Sequence, residues 1–194
     1  MKRLLIANRG EIALRIARAA RALGIESVLA ASAADRDSLA AREADRTVIL
    51  GPAKASASYL NPNLIVHAAK ATGCDALHPG YGFLSERAGL ARLCEEHGIA
   101  FVGPTPQSIE QVGGKIAARE LAQAAGVPLV PGSGKLDSAA DAVAFAEQVG
   151  YPVVTKASAG GGGRGMVVAH DAQQRREGFE RASHEAQEAF GDGP

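Results

Sequence analysis

The chain has 194 residues, of which 46% are hydrophobic and 22% are charged, a composition typical of ordinary globular domains. Its 21 basic and 21 acidic residues give a formal net charge of zero, which argues against a sequence-independent nucleic-acid binder. No apolar stretch approaches membrane-spanning length, so we expect no membrane association.

The cysteines and histidines indicate no metal site. Cys74 and Cys94 form no C-x-x-C motif, and the five histidines are dispersed along the chain. We therefore expect two reduced thiols, no zinc site and a cytoplasmic location.

The first hundred residues alternate short apolar runs with amphipathic segments. Asn61-Pro62 has the form of a helix N-cap followed by a first-turn proline, and Ser85-Glu86 has the form of another helix start. Alternation at this spacing predicts βαβ units and a parallel twisted sheet. The predicted strands are 4–8, 27–31, 47–50, 75–78 and 99–102, and the predicted helices are 11–23, 38–44, 64–71 and 85–97.

After residue 104 the pattern changes. Two helices, at 105–112 and 115–125, precede a stiff segment that contains Pro128 and Pro131. Ser138 and Asp141 then resemble a capping box at the start of a helix to Val149, and a final helix is predicted at 172–190. We predict a sheet domain at 1–112, a helical connector at 113–130 and a smaller subdomain at 131–194.

A glycine-rich loop lies between two β-branched runs in the smaller subdomain. Glycines allow a backbone to approach a ligand closely, and the strand-end Lys156 adds positive charge. The residues expected to meet a polyphosphate, that of ATP, are Lys156, Gly161, Gly162, Gly163 and Arg164. A flexible surface hairpin tip is the alternative.

Two familiar phosphate motifs do not fit this chain. Gly160, Gly162 and Gly165 satisfy G-x-G-x-x-G, but a strand-like run follows where the dinucleotide motif requires a helix. Gly114-Lys115 and Gly134-Lys135 lack the upstream glycine and the Ser or Thr of a P-loop. A flap folded over phosphates fits the flanking strands better.

A second cluster runs from His78 to Glu86, at the carboxyl end of a predicted strand. Open α/β sheets place ligands at this edge. Two interpretations remain open, a tight turn with Tyr81 and Phe83 packed inward, or a loop that contacts substrate. The loop from Asn8 to Glu11 is similarly placed, but we expect it to be structural.

Several segments, in this order, resemble biotin carboxylases. They include Ile6 to Ala13, His78 to Glu86, Phe101 to Pro104, Ala125 to Pro128 and Lys156 to Met166. The chain looks like the N-terminal portion of the biotin-carboxylating subunit of an acyl-CoA carboxylase, and the resemblance covers essentially its whole length. One departure is Gly114, where many members have Asp.

The resemblance implies the ATP-grasp fold, with a pre-ATP-grasp sheet domain and an incomplete lid subdomain. It implies ATP- and Mg²⁺-dependent carboxylation of biotin by bicarbonate through carboxyphosphate. The biotin would be held by a carboxyl carrier domain, with a carboxyltransferase subunit as a further partner. Lys115, Lys156, Gly162 and Gly163 match the family's phosphate-contacting positions, and Tyr81, Gly82 and Glu86 match a loop on the biotin side.

The chain stops at turn-forming residues, so we expect a truncated protein or an excised fragment. The family's metal ligands and catalytic residues would then lie downstream of Pro194, and we expect a nucleotide-binding fragment that is inactive alone. Another ATP-grasp ligase, such as a relative of carbamoyl-phosphate synthase, and a non-catalytic assembly module are the alternatives.

Overall fold

The computed structural model describes residues 1–134, 136–156 and 166–190, without the side chains of Lys115, Lys156 and residues 185–190. The chain divides into two compact units, Met1–Gly113 and Gly114–Pro194. Each unit is described separately below.

The first unit is built on a five-stranded parallel sheet in the order β3-β2-β1-β4-β5, which confirms the predicted sheet. Its strands are β1 (Arg3–Ile6), β2 (Glu26–Ser32), β3 (Arg46–Gly51), β4 (Ala76–His78) and β5 (Ala100–Phe101). Its helices are α1 (Gly10–Ala22), α2 (Leu39–Glu43), α3 (Pro62–Ala71), α4 (Ala88–Glu96) and α5 (Pro106–Gly113), with short 3₁₀ turns at Ala33–Asp35 and Ala55–Ala57.

Helices cover both faces of this sheet. Successive strand residues point to opposite sides, so the apolar strands place buried side chains on each face. Leu4 and Ile6 of β1 pack with α1 and α2 in one buried cluster. Leu5 of the same strand packs with α3 and α4 in the other. The unit is therefore a three-layer sandwich with β1 at its centre.

The two predicted helix starts have different outcomes. Asn61 caps α3 as predicted, since its Oδ1 accepts a hydrogen bond from the Leu64 N–H at 3.1 Å. The predicted start of α4 at Ser85 is wrong, because α4 begins at Ala88 and no side chain caps it. The preceding residues form tight turns instead, in which the Ser85 N–H donates to the Gly82 carbonyl at 2.9 Å.

The second unit contains α6 (Lys115–Ala124), α7 (Ala139–Val149), the antiparallel strands β6 (Val153–Lys156) and β7 (Met166–Ala169), and α8 (Ala172–Phe190). Ser138 caps α7 as predicted, because its Oγ accepts from the Asp141 N–H at 3.1 Å. The predicted strand pair and final helix are confirmed. Within the described part of the chain, no helix is long and apolar enough to cross a membrane.

Candidate functional site

The carboxyl ends of β1 and β4 form the point at which the sheet topology reverses. The chain runs outward from β1 through β2 to β3, and β4 then pairs with the other side of β1. Ile6 lies beside His78 in this register, and the Ala7 N–H donates to the His78 carbonyl at 2.9 Å. Open α/β sheets bind ligands at such a reversal. The loops after β1 and β4 are therefore the first candidate site.

Asn8 joins these two loops. It is 1% exposed, and its Nδ2 donates to the carbonyls of Pro79 at 2.8 Å and Tyr81 at 2.9 Å. Its Oδ1 accepts from the Arg9 N–H at 2.9 Å. Both amide protons and the amide oxygen are thus engaged, which fixes the orientation of the side chain.

Two glycines shape the loop after β4. Gly80 and Gly82 have φ of +67° and +69°, values that residues with a Cβ rarely adopt. A Cβ on Gly80 would lie 2.6 Å from Asn8 Nδ2 and 2.7 Å from Ile12 Cγ2. A Cβ on Gly82 would meet no described atom within 4 Å. Gly80 is therefore required by packing, whereas Gly82 leaves its backbone open to an approaching ligand.

Tyr81 and Phe83 separate the two interpretations of this loop. Tyr81 is 65% exposed, and its hydroxyl donates to Glu11 Oε1 at 2.8 Å. This hydrogen bond is the main cause of a raised pKa for the Tyr81 phenol. Phe83 is half-buried and stacks on Tyr59, with ring centroids 5.0 Å apart. The inward packing thus holds for Phe83, while Tyr81 faces outward beside Gly82.

A polar network lies behind the Phe83 ring. The Tyr59 hydroxyl donates to Asp35 Oδ2 at 2.7 Å and accepts from the Ser32 N–H at 2.8 Å. Burial raises the pKa of Tyr59, which keeps its hydroxyl as the donor. Asp35 also lies 3.7 Å from Arg9 Nη1. The network connects the ends of β1 and β2 to the loop after β4.

His78, the last residue of β4, also supports the loop. Its Nδ1 accepts a hydrogen bond from the Gly80 N–H at 3.0 Å. Burial lowers the pKa of His78 and so favours the neutral ring. Only the neutral ring can accept at Nδ1, because both ring nitrogens carry protons in the cation.

The third predicted residue of the biotin-side loop, Glu86, lies in a different surface feature. It is exposed and lines an open groove of about 680 Å³. Neither Tyr81 nor Gly82 lines this groove, whereas both lie in the exposed turn after β4. Other lining residues include Leu60, Leu84, Arg87, Arg92, Ile109 and Glu110.

The predicted phosphate-binding residues belong to the second unit. Lys156 ends β6 and pairs in register with Met166, the first residue of β7. Lys115 is the first residue of α6. The remaining predicted residues, Gly161, Gly162, Gly163 and Arg164, lie outside the described residues.

The described residues include no group of three or more His, Cys, Asp or Glu side chains placed to hold a metal ion. Cys74 and Cys94 are buried free thiols, as predicted. Burial raises the pKa of Cys94 to about 11, so this thiol stays protonated.

Sequence reasoning treated the loop from Asn8 to Glu11 as structural and missed the contacts that Asn8 and Glu11 make with the loop after β4. The available signal was position, because both follow β1 at the edge of the sheet that also carries His78. Without the strand order, the separation of 70 positions between Glu11 and Tyr81 concealed their hydrogen bond.

Two family models match this chain. The model for the biotin carboxylase N-terminal domain matches residues 1–109. The model for the ATP-binding domain of the carbamoyl-phosphate synthase L chain matches residues 114–194. The two matches together cover nearly all of the sequence.

Curated relatives agree with the first model. Biotin carboxylase 1 of Bacillus subtilis is 51% identical over 192 residues, which are 98% of this chain and 43% of that protein. The propionyl-CoA carboxylase alpha chain of Ruegeria pomeroyi is 47% identical over 191 residues, 98% of this chain and 28% of that protein. The chain thus spans less than half the length of these relatives.

Solved structures show the same fold. A biotin carboxylase–βγ-ATP complex from Campylobacter jejuni has a TM-score of 0.89 and 44% identity, over 98% of this chain and 43% of that one. The biotin carboxylase domain dimer of the Hydrogenobacter thermophilus 2-oxoglutarate carboxylase, in complex with MgADP, ADP and bicarbonate, has a TM-score of 0.85. It is 44% identical over 98% of this chain and 42% of that one.

Proposed function

Because this chain belongs to the biotin carboxylase family, we propose that it serves the ATP-dependent carboxylation of carrier-bound biotin by bicarbonate, through carboxyphosphate. The reaction would form part of an acyl-CoA carboxylase. The proposal divides the chain into a sheet domain at 1–112, a helical connector at 113–130 and an ATP-grasp lid subdomain at 131–194.

The observation that carries the proposal is the open turn at Tyr81 and Gly82, at the topological reversal of a biotin carboxylase sheet. An exposed aromatic ring beside a backbone without Cβ offers a flat apolar surface and close approach to a small planar ligand. We assign this turn to the biotin side of the site. Glu86 is retained as a residue near that side.

The second unit supplies the nucleotide half of the proposal. Lys115 and Lys156 would act as point charges on the phosphates of ATP, and Gly161, Gly162, Gly163 and Arg164 would cover them. The family match of residues 114–194 to an ATP-binding domain supports this assignment. The reduced, buried thiols are compatible with a cytoplasmic location.

The proposal assigns no magnesium ligand to the described residues, because no acidic cluster among them fits the ion. Bound magnesium would neutralise phosphate charge during phosphoryl transfer. We propose a biotin carboxyl carrier domain as the partner that presents biotin and a carboxyltransferase subunit as a further partner.

A carbamoyl-phosphate synthase function is less well supported, although the model that matches residues 114–194 carries that name. Residues 1–109 match the biotin carboxylase domain, and the relatives described above are carboxylases. A non-catalytic assembly module predicts no nucleotide binding, so one titration separates it from our proposal.

We expect the chain to bind ATP, and its affinity should depend on two lysines. Lys115→Ala and Lys156→Ala should each weaken binding by about 1–3 kcal/mol, the usual cost of losing a charge-assisted hydrogen bond. The losses in the double variant should not simply add, because both charges act on one ligand. Isothermal titration with ATP and magnesium measures each affinity.

Lys135→Ala is the matched control, since Lys135 also follows a glycine but lacks the rest of a phosphate motif. It should leave the affinity unchanged. Equal losses from Lys135→Ala and Lys156→Ala would mean that the phosphates are assigned to the wrong loop. Absence of ATP binding by the unsubstituted chain would contradict the nucleotide half of the proposal.

A further inference from the structure

The exposed turn at Tyr81 and Gly82 is held from the opposite loop, after β1. Asn8 holds the backbone on both sides of Gly80, through the carbonyls of Pro79 and Tyr81. Glu11 holds the outer end of the Tyr81 ring, through the hydroxyl. The two residues therefore act on different parts of the same turn.

We propose that Asn8 and Glu11 are positioning residues for the biotin-side turn, with Asn8 fixing its backbone and Glu11 fixing the Tyr81 ring. Their relevance to biotin rests on the function proposed above. Their effect on the turn is a property of this unit and can be measured without substrate.

The role of Asn8 follows from its hydrogen-bonding capacity. Two backbone carbonyls that point at one side chain require two donors, and a buried amide supplies both without charge. Asn8→Asp would place a carboxylate against two carbonyl oxygens, and Asn8→Ala would leave both carbonyls without these donors. Either change removes the two hydrogen bonds that hold the backbone on both sides of Gly80.

The role of Glu11 follows from the exposure of the ring. Tyr81 is 65% exposed, so packing alone restricts its side chain little. The hydrogen bond to Glu11 Oε1 selects one ring orientation beside Gly82. A ligand that approaches Gly82 would then meet the ring in a defined place, which lowers the entropy cost of binding.

The Tyr81 phenol reports on this arrangement. The chain has three tyrosines, so the difference between the ultraviolet pH titrations of the native chain and Tyr81→Phe isolates the Tyr81 phenol. In Glu11→Gln the pKa of Tyr81 should fall toward its ordinary value, since the carboxylate that raises it is removed. Thermal stability should stay unchanged, because both groups are exposed.

Glu96→Gln is the matched control, as Glu96 is an exposed glutamate in the same unit that does not contribute to the pKa of Tyr81 or Tyr59. It should leave the Tyr81 titration unaltered. An unchanged pKa of Tyr81 in Glu11→Gln would overturn the role of Glu11.

Hydrogen exchange tests Asn8 in the unsubstituted chain. Its two side-chain amide protons should exchange more than about tenfold more slowly than those of Asn63, an exposed asparagine on α3. Asn8→Ala should accelerate amide exchange in residues 80–82 and lower the pKa of Tyr81, while Asn63→Ala should do neither. Fast exchange of the Asn8 side chain would refute its role, even where Asn8→Ala does not fold.

The biotin assignment is tested separately by titration with free biotin, followed at the Gly82 amide resonance. A shift in the native chain that weakens in Glu11→Gln would support both proposals. The Tyr81 titration and the Asn8 exchange could behave as expected while the Gly82 resonance does not shift with biotin. That result would contradict the biotin assignment and leave the positioning roles intact.

Discussion

Arg175 is a buried cation in the second unit. Only 4% of its surface is exposed, and its guanidinium donates to the Ala142 carbonyl at 3.2 Å and to Thr155 Oγ1. No described carboxylate forms an ion pair with it, and burial lowers the pKa of Arg175. Charge removed from water without a counterion costs free energy.

We therefore expect Arg175→Met to stabilise the second unit. Methionine is unbranched and can follow the same path through the core. Replacing a buried ion by an apolar side chain of similar volume should raise the free energy of unfolding by on the order of 1–2 kcal/mol. Urea denaturation measures the difference.

Arg176→Met provides the comparison for this prediction, since Arg176 is the exposed neighbour on α8. The Arg176→Met substitution should change the free energy of unfolding little. Destabilisation by Arg175→Met alone would mean that the hydrogen bonds to Thr155 and Ala142 outweigh the cost of burying the charge.

His78 should make the stability of the first unit depend on pH. Its pKa is lowered in the folded state, so the unfolded chain binds the proton more readily. The full stability is present above the unfolded pKa, roughly 6.5. It should fall as the pH drops from there toward the folded pKa, because protonation also breaks the acceptor at Nδ1.

Melting temperatures between about pH 8 and pH 5 check the expectation for His78. His78→Asn keeps an acceptor near the Nδ1 position but does not titrate, so this contribution to the pH dependence should disappear. His67→Asn, at an exposed position on α3, should retain it. If the native chain, His78→Asn and His67→Asn showed the same dependence of melting temperature on pH, His78 would be excluded as a source of that dependence.

At the scale of single elements, α3 depends on its N-cap. Asn61→Ala removes the acceptor for the Leu64 N–H and should destabilise the first unit by roughly 1 kcal/mol. Asn63→Ala changes an exposed residue two positions later and should be neutral or slightly stabilising. Chemical denaturation of both variants decides whether the cap or simple helix propensity controls α3.

Helix starts could be predicted from the sequence where a local cap alone determines them. They could not be predicted where burial of a nearby side chain in the core overrides the local cap signal. Asn61-Pro62 and Ser138 are strong local caps, and both residues cap helices as predicted. Before α4 the buried Leu84 is held in a series of tight turns, so Ser85 cannot serve as the cap. Burial of Leu84 is a tertiary effect that no short sequence window contains.

At the scale of the whole chain, the segment between α6 and α7 should be the most accessible to proteases among the residues that the structure describes. Val127 and Val130 are 51% and 81% exposed and lie outside helices and strands. Arg119 Nη2 donates to the Val130 carbonyl at 2.8 Å and to the Gly132 carbonyl at 3.1 Å, which restrains the segment. Thermolysin, which cleaves before bulky apolar residues, should cut here first.

Arg119→Ala should accelerate this cleavage by releasing the restraint. Glu120→Ala, at the exposed neighbouring position, should cleave at the native rate. Mass spectrometry of the first fragments identifies the cut. Initial cleavage within the 1–112 sheet domain would argue against a connector at 113–130.

The fold class followed from the sequence because alternating strands and helices leave few topologies open. Tyr81 and Gly82 were assigned to the site through a contiguous motif, whereas the loop from Asn8 to Glu11 was expected to be structural. Their importance depends on which strand lies beside β1, and neighbouring strands are a property of the assembled sheet. Local sequence reasoning therefore identified the loop after β4 as part of the site but not the loop after β1.

The central place of β1 has a consequence for synthesis of the chain. β2 follows β1 closely, so the half-sheet of β1, β2 and β3 can assemble while later residues are still being made. Until β4 arrives, one edge of β1 has no partner and can pair with other chains. The Tyr81–Glu11 hydrogen bond can form only after β4 docks against β1, so Tyr81 would report this docking step, distinct from the earlier appearance of helix and strand.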